Sequence, residues 1–154
     1  MKIKPLLRKA TSADVNAIAN VYLSSRKDLV SFAPLIHSDE SILSWIRNEL
    51  LLKEHVIVAE VNGIIIGMMS LTNDQDIRWI NQFYIHPDAV NQGVGSLMIE
   101  EAKSILESPI QLHTFQENFG ARRFYERHGF KAIAFDDGSG NEENCPAVLY
   151  KLNK

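Results

Sequence analysis

The chain has 154 residues, a net charge of −3 and one cysteine. This length fits a single domain over residues 1–154 that is large enough to hold a hydrophobic core. The acidic balance argues against a nucleic-acid-binding protein, which usually carries a basic surface. One cysteine excludes an intramolecular disulfide. No signal-peptide pattern and no run of about 20 apolar residues is present, so a cytoplasmic protein that does not bind membranes is expected.

The distribution of apolar residues predicts seven strands and four helices in the order β-α-α-β-β-β-α-β-α-β-β. Apolar runs and alternation indicate strands, which are predicted at residues 6–9, 55–61, 64–71, 77–85, 110–115, 130–135 and 147–151. Apolar residues at helical spacing predict helices around residues 15–23, 42–50, 94–105 and 119–128. This order predicts an α/β (α+β) fold in which helices pack on a mixed sheet.

Local signals support several of these boundaries. Residues 11–14 have the pattern of a capping box ahead of the first helix. Asn62-Gly63 lies between two apolar runs and predicts a tight hairpin, because both turn positions require a positive φ. A second turn is expected at residues 73–76, and Gly129 stands where a left-handed residue would end the last helix.

A glycine-containing segment connects the strand at 77–85 to the third helix. It contains Asn91, Gln92, Gly93, Val94, Gly95 and Ser96. Glycines allow the backbone to approach a phosphate closely, and a helix N-terminus offers free N–H groups. The segment is neither a P-loop, since no Lys-Ser/Thr pair follows, nor a dinucleotide fingerprint, since a third glycine is missing. A tight strand-to-helix turn without a ligand is the alternative interpretation.

Residues 118–130 carry a more specific pattern. They match Asn-x-x-Ala-x-x-Phe-Tyr-x-x-x-Gly-Phe at every fixed position, with Tyr125 at the tyrosine. Together with the glycine segment, this pattern resembles the acetyl-CoA signatures of the GCN5-related N-acetyltransferases. One position departs from the family, because Val90 stands where a glutamine or arginine is usual. Taken alone, the pattern is also compatible with ordinary packing residues on an amphipathic helix.

The resemblance implies a mixed, mostly antiparallel sheet flanked by about four helices, and an acyltransferase activity. Acetyl-CoA would be the acetyl donor and would be attacked directly by an amine in a ternary complex, with no metal; a homodimer is compatible with the family. By resemblance, acetyl-CoA is bound by Phe83, Tyr84, Ile85, Asn91, Gln92, Gly93, Val94, Gly95, Ser96, Asn118 and Tyr125.

The resemblance also gives these residues roles. Asn118 would hydrogen-bond near the pantetheine arm, and the Tyr125 hydroxyl would face the sulfur. A departing thiolate benefits from a proton donor, and a tyrosine with a pKa near 10 is protonated at pH 7. Backbone N–H groups of residues 83–85 would stabilise the tetrahedral oxyanion.

The general base has more than one candidate. An alkyl amine with a pKa near 10 is about one part in a thousand neutral at pH 7, so deprotonation costs roughly 4 kcal/mol. His113 occupies a position where relatives carry a glutamate and is the first candidate, with Glu142 and Glu143 as alternatives. His37, Asn81, Glu142 and Glu143 are candidate acceptor-binding residues.

Two other functions stay open from the sequence. Val90 and the lack of an obvious carboxylate base are compatible with a non-catalytic acyl-CoA-binding regulatory module. The apolar N-terminal helices are compatible with an interaction domain that binds no acetyl-CoA at all.

Overall fold

The computed structural model describes residues 4–73 and 76–153. Within them, the strands are β1 Leu6–Lys9, β2 His55–Val61, β3 Ile64–Asn73, β4 Arg78–Ile85, β5 Ile110–Phe115, β6 Lys131–Phe135 and β7 Ala147–Leu152. The helical segments are α1 Val15–Leu29, α2 Asp39–Trp45, α3 Leu51–Lys53, α4 Val94–Ile105 and α5 Phe119–Arg127. A π-helical turn, Ile46–Leu50, joins α2 to α3, so these three segments form one continuous helix. Counted this way, the described residues contain the four predicted helices in the predicted order.

The strands form one seven-stranded sheet in the order β1-β2-β3-β4-β5-β7-β6. Neighbouring strands run antiparallel except for β4 and β5, which run parallel. The predicted mixed, mostly antiparallel sheet is therefore confirmed. β4 and β5 pair only at Arg78↔Ile110 and Trp79↔Gln111. Beyond this short contact the two strands diverge, and the sheet is split between them.

Helices cover both faces of the sheet. On one face α4 and α5 bury a core that includes Met98 and Ile99, both 0% exposed. On the other face α1 and α2 bury a second core around Ile18 and Ile46. Because each face is covered by a different pair of helices, the split between β4 and β5 is reached by both pairs.

Local signals in the sequence act as predicted. The Thr11 amide donates to the Asp14 carboxylate at 2.8 Å, which forms the capping box. Asn62 and Gly63 have φ values of 52° and 80°, as the hairpin requires. Gly129 has a φ of 93° and ends α5. The predicted turn at 73–76 includes residues 74 and 75, which lie outside the described residues.

None of the helices that the structure describes combines the length and the apolar character needed to cross a bilayer.

Candidate active site

The split between β4 and β5 opens into a cleft of about 1590 Å³. Its walls come from both faces of the sheet: the start of α4 and residues of α5 on one side, and α1 and the loop after it on the other. We call the first wall the α4 side and the second the α1 side. A continuous cleft through the sheet allows two molecules to approach each other from opposite faces.

The glycine segment forms the start of the α4 side. Asn91 and Gly93 have positive φ values of 62° and 87°, and α4 begins at Val94 with no side-chain cap. The first-turn N–H groups of α4 therefore have no side-chain acceptor in the described residues. Uncapped N–H groups and the helix dipole favour an anion such as a phosphate at this position.

Gly95 does not have a positive φ, but its missing side chain allows close packing against α5. A Cβ at this position would lie 3.2 Å from the ring of Phe124. The Ser96 hydroxyl lies 3.1 Å from Nε2 of His128, at the end of α5. Burial lowers the pKa of His128, and the nearby Lys103 lowers it further. These contacts fix the start of α4 against α5.

Two of the predicted residues have side chains that point away from the cleft. Gln92 donates from its side-chain amide to the carbonyl of Asp88 at 3.1 Å. Val94 is 1% exposed and belongs to the core. At these positions only the backbone is available to a ligand. Val90, which stands where the family usually has a glutamine or arginine, lines the cleft. Asn91, Gly93, Gly95 and Ser96 line it as well.

Tyr125 lies in the cleft on α5 and is 8% exposed. Its ring packs against Phe83, Phe124 and Phe130, with centroid distances of 6.3, 5.5 and 5.9 Å. Its hydroxyl has no hydrogen-bond partner among the described residues. Burial raises the pKa of Tyr125 above its usual value, and Tyr84 adds to the rise. The hydroxyl is therefore protonated at neutral pH and free to donate.

Asn118 caps the helix that carries Tyr125. Its side-chain oxygen accepts a hydrogen bond from the Ala121 amide at 3.2 Å, and the residue lines the cleft. The oxygen is thus engaged, while the side-chain NH₂ group has no acceptor in the described part of the chain. The cap sets the direction of α5 and hence the position of Tyr125.

The free edge of β4 carries the next predicted group. Phe83, Tyr84 and Ile85 pair with β3 on one edge, but have no partner in β5. Asn81 is bulged out of the β3–β4 ladder, because Gln82 pairs with Ser70 and Ile80 with Leu71. The bulge lies where β4 leaves β5, and such irregularities are common next to active sites. The edge therefore offers backbone groups to a ligand in the cleft.

Side chains of β4 and β5 line the cleft near this bulge. Asn81 donates to the Glu54 carboxylate at 2.9 Å and also contacts the Thr72 hydroxyl. His113 is exposed and stacks on Trp79, with ring centroids 5.4 Å apart and an interplanar angle of 13°. No hydrogen bond or ion pair of His113 is found within the described residues, so both of its ring nitrogens are available.

The α1 side brings together residues that are distant in sequence. Nε2 of His37 lies 3.1 Å from the carboxylate of Glu142. Glu143 lies 3.7 Å from the guanidinium of Arg26 on α1. All four side chains line the cleft. The structure thus brings three of the four predicted acceptor-binding residues together on the α1 side. The fourth, Asn81, lies on β4.

Sequence reasoning missed Arg26. It is 4% exposed, although arginine is rarely buried without a partner. The signal that would have found it is its spacing: Arg26 lies four residues after Tyr22 and continues the buried face of α1.

Comparisons with known proteins agree with this geometry. A model of the acetyltransferase (GNAT) family matches residues 19–130. No curated protein matches the sequence.

Several solved structures share the fold. The PaiA N-acetyltransferase from Thermoplasma acidophilum in complex with coenzyme A is 19% identical, with a TM-score of 0.76 over 99% of this chain and 100% of that chain. A GCN5-related N-acetyltransferase from Rhodopseudomonas palustris is 20% identical, with a TM-score of 0.79 over 100% and 98%. Ard1 from Thermoplasma volcanium is 17% identical, with a TM-score of 0.78 over 98% of both chains.

Proposed function

Because this chain belongs to the GNAT acetyltransferase family, we propose that it transfers the acetyl group of acetyl-CoA directly to an amine in a ternary complex. One observation carries the proposal: the uncapped start of α4 and the hydroxyl of Tyr125, a buried residue whose hydroxyl has no hydrogen-bond partner among the described residues, lie in the same cleft through the sheet. The first is suited to a pyrophosphate, and the second to a leaving thiolate.

The proposed position of acetyl-CoA follows from the α4 side. Backbone N–H groups of residues 93–96 bind the pyrophosphate, since α4 begins there without a side-chain cap. The pantetheine arm lies along the free edge of β4 at Phe83, Tyr84 and Ile85, where no β5 partner competes for the backbone groups. Backbone N–H groups of residues 83–85, at this edge of β4, stabilise the oxyanion that forms at the thioester carbonyl.

Tyr125 is the proposed general acid. The amine nitrogen forms a bond to the acetyl carbon, and the bond between that carbon and sulfur breaks. The thiolate takes the proton of the Tyr125 hydroxyl, which burial keeps protonated by raising its pKa. The proton that the attacking nitrogen loses restores the hydroxyl, so the net products are the amide and the thiol of CoA. A positioned proton donor of this kind typically contributes about 10²- to 10⁴-fold to the rate.

His113 remains the proposed base. It lines the cleft beside the bulge of β4, and among the described residues no partner occupies its ring nitrogens. A neutral imidazole accepts the amine proton near neutral pH. Glu142 is the weaker alternative because His37 engages its carboxylate at 3.1 Å. Glu143 is the stronger alternative, since it faces Arg26 only at 3.7 Å.

The amine is proposed to enter from the α1 side. His37, Glu142 and Glu143 lie on that wall, and Asn81 lies at the bulge of β4. This wall is opposite the start of α4, so an amine and acetyl-CoA reach the split from different faces of the sheet. Direct attack requires this arrangement.

A non-catalytic acyl-CoA-binding module is the second candidate function. It is favoured by Val90, which lines the cleft where the family usually has a polar side chain. This module would be stabilised by CoA and would release no thiol with any amine.

Two measurements on the same protein separate these functions. Thermal unfolding with acetyl-CoA tests binding, and saturation at about 100 times the Kd adds about 2.7 kcal/mol of stability. Thiol release from acetyl-CoA in the presence of a panel of amines tests transfer. The proposal expects both stabilisation and amine-dependent release. Stabilisation without release supports the module, and the absence of both contradicts acetyl-CoA binding altogether.

A further inference from the structure

Arg26 is buried but incompletely hydrogen-bonded. Its Nη1 donates to the Tyr22 hydroxyl at 3.1 Å, and its Nη2 donates to the Pro34 carbonyl at 3.2 Å. Its Nε is buried and has no partner in the described part of the chain. A guanidinium has five N–H donors and keeps its charge in proteins. Burying it while some of these donors lack an acceptor costs folding free energy, unless a ligand supplies the missing acceptors.

The carboxylate of Glu143 balances the charge of Arg26 but does not accept a hydrogen bond from it. Oε2 of Glu143 lies 3.7 Å from Nη1 of Arg26, which is an ion-pair distance but longer than a hydrogen bond. No hydrogen bond to the Glu143 carboxylate is found among the described residues. Two opposite charges therefore face each other in the cleft, and each has unused hydrogen-bonding capacity.

Arg26 lies close to the ends of both diverging strands. Its guanidinium carbon is 6.0 Å from the ring centroid of Phe115, the last residue of β5. It is 5.9 Å from the ring of Tyr22, which in turn packs against Tyr84 of β4 at 5.0 Å. The Arg26–Glu143 pair therefore borders the split from the α1 side, where the amine is proposed to enter.

We propose that Arg26 and Glu143 form the acceptor subsite, and that the acceptor is an α-amino acid, which carries its amine and carboxylate on one carbon. The carboxylate of the acceptor fills the open donors of Arg26, and the amine donates to Glu143. Guanidinium groups bind carboxylates through two parallel hydrogen bonds, which fixes orientation as well as position. This inference rests on the proposed acetyl transfer and names its substrate class.

The charges on this wall agree with a zwitterionic acceptor. Glu142 is engaged by His37, so Glu143 is the carboxylate left for the amine. A simple cationic amine would use Glu143 but would leave the open donors of Arg26 unfilled. A simple carboxylate would face the negative charge of Glu143. An acceptor with both groups satisfies both side chains.

Matched acceptors test the role of Arg26. Initial rates of acetyl transfer are compared for α-amino acids, their α-carboxamides and the corresponding decarboxylated amines. Hydrogen bonds to a charged group predict a preference of about 10- to 100-fold in kcat/KM for the carboxylate-bearing acceptor. R26Q is expected to reduce this preference to near parity. R26K keeps the cation without the planar fork and is expected to retain part of the preference.

Arg47 provides the matched control for Arg26. Arg47 is exposed on the helix after α2 and does not line the cleft, so R47Q should leave the preference unchanged. Equal losses for all three acceptors in R26Q and R26K would assign Arg26 a structural role and overturn the proposal. A wild-type preference for decarboxylated amines would also overturn it.

A binding measurement keeps the subsite testable apart from catalysis. With CoA present, thermal unfolding is followed with an N-acetyl amino acid and with its carboxamide. Greater stabilisation by the carboxylate in the wild type, lost in R26Q and reduced in R26K, supports the subsite even if no acceptor is acetylated. Stabilisation that does not depend on the carboxylate contradicts the subsite even if acetyl transfer occurs.

Discussion

Tyr125 is buried in the cleft with an unpartnered hydroxyl, and burial raises its pKa. We predict that Y125F lowers kcat by about 10²-fold or more, because the departing thiolate loses its proton donor. The melting temperature should change little, since the substitution removes no hydrogen bond among the described residues. Steady-state thiol release and thermal unfolding measure the two effects.

Tyr150 provides the matched control for this substitution. Its ring packs against Tyr125 at 6.0 Å, but its hydroxyl donates to Glu126 at 2.7 Å and lies outside the cleft. Y150F should therefore reduce stability while leaving kcat close to that of the wild type. An unchanged kcat in Y125F would remove Tyr125 from the mechanism.

His113 carries a prediction about pH. H113Q is expected to lower kcat by about 10²-fold near neutral pH, where the bound amine needs a base. The loss should shrink as the pH approaches the amine pKa of about 10, because more of the amine is then already neutral. The exposed His55, which does not line the cleft, supplies the control H55Q.

The pH profile of kcat separates two outcomes for His113. A loss that is constant with pH means that the histidine only positions the substrate by its stack on Trp79. No loss at any pH transfers the role of base to Glu143 or Glu142.

At the scale of elements, the start of α4 is the feature most sensitive to sequence. Gly93 has a φ of 87°, and Gly63 in the β2–β3 hairpin has a φ of 80°. Alanine in the left-handed region costs about 1 kcal/mol, so G93A and G63A should destabilise the protein similarly. Only G93A should raise the KM for acetyl-CoA, because it displaces N–H groups at the proposed pyrophosphate site. Equal KM values in the two variants would place acetyl-CoA elsewhere.

The contact between α4 and α5 predicts a pH dependence of stability. Burial and the charge of Lys103 lower the pKa of His128 in the folded state. As the pH falls, His128 is therefore protonated in the unfolded chain before it is protonated in the folded protein. The stability that the neutral His128 contributes above about pH 6.5 is lost as the pH falls below this value. Melting temperatures between about pH 5 and pH 7 should decline less steeply in H128Q than in the wild type. A parallel decline in both proteins would contradict this assignment.

Elements could be predicted from sequence because their signals are local. Asn62-Gly63 defines its hairpin through two positive φ values, and the strand at 110–115 begins and ends as predicted. Boundaries set by tertiary pairing were less accurate: β3 extends to Asn73 because its last residues pair with Trp79 and Arg78 of β4. The side-chain direction at Gln92 was also beyond the sequence, since backbone geometry decides it, whereas helical spacing places Val94 on the apolar face of α4.

At the scale of the whole molecule, the site depends on contacts between distant segments. His37 and Glu142 are 105 residues apart in sequence and 3.1 Å apart in the fold. The split between β4 and β5 results from a pairing limited to two residue pairs, which no local pattern encodes. The spacing of Arg26 after Tyr22 is a local signal of its burial, but its contacts with the Pro34 carbonyl and with Glu143 depend on the fold. The residues of the α4 side could be predicted from the resemblance to a family, whereas the contacts of the α1 side became evident only in the structure.

The two walls give the molecule its proposed function, because each presents one substrate to the split in the sheet. The most direct test is transfer of an isotopically labelled acetyl group from acetyl-CoA to an amine panel, followed by mass spectrometry of the amines. We predict label on the nitrogen of an acceptor, with release of free CoA, and a much lower yield in Y125F. Label that stays on CoA with every amine, in a protein that acetyl-CoA stabilises, would contradict catalysis and leave a binding module.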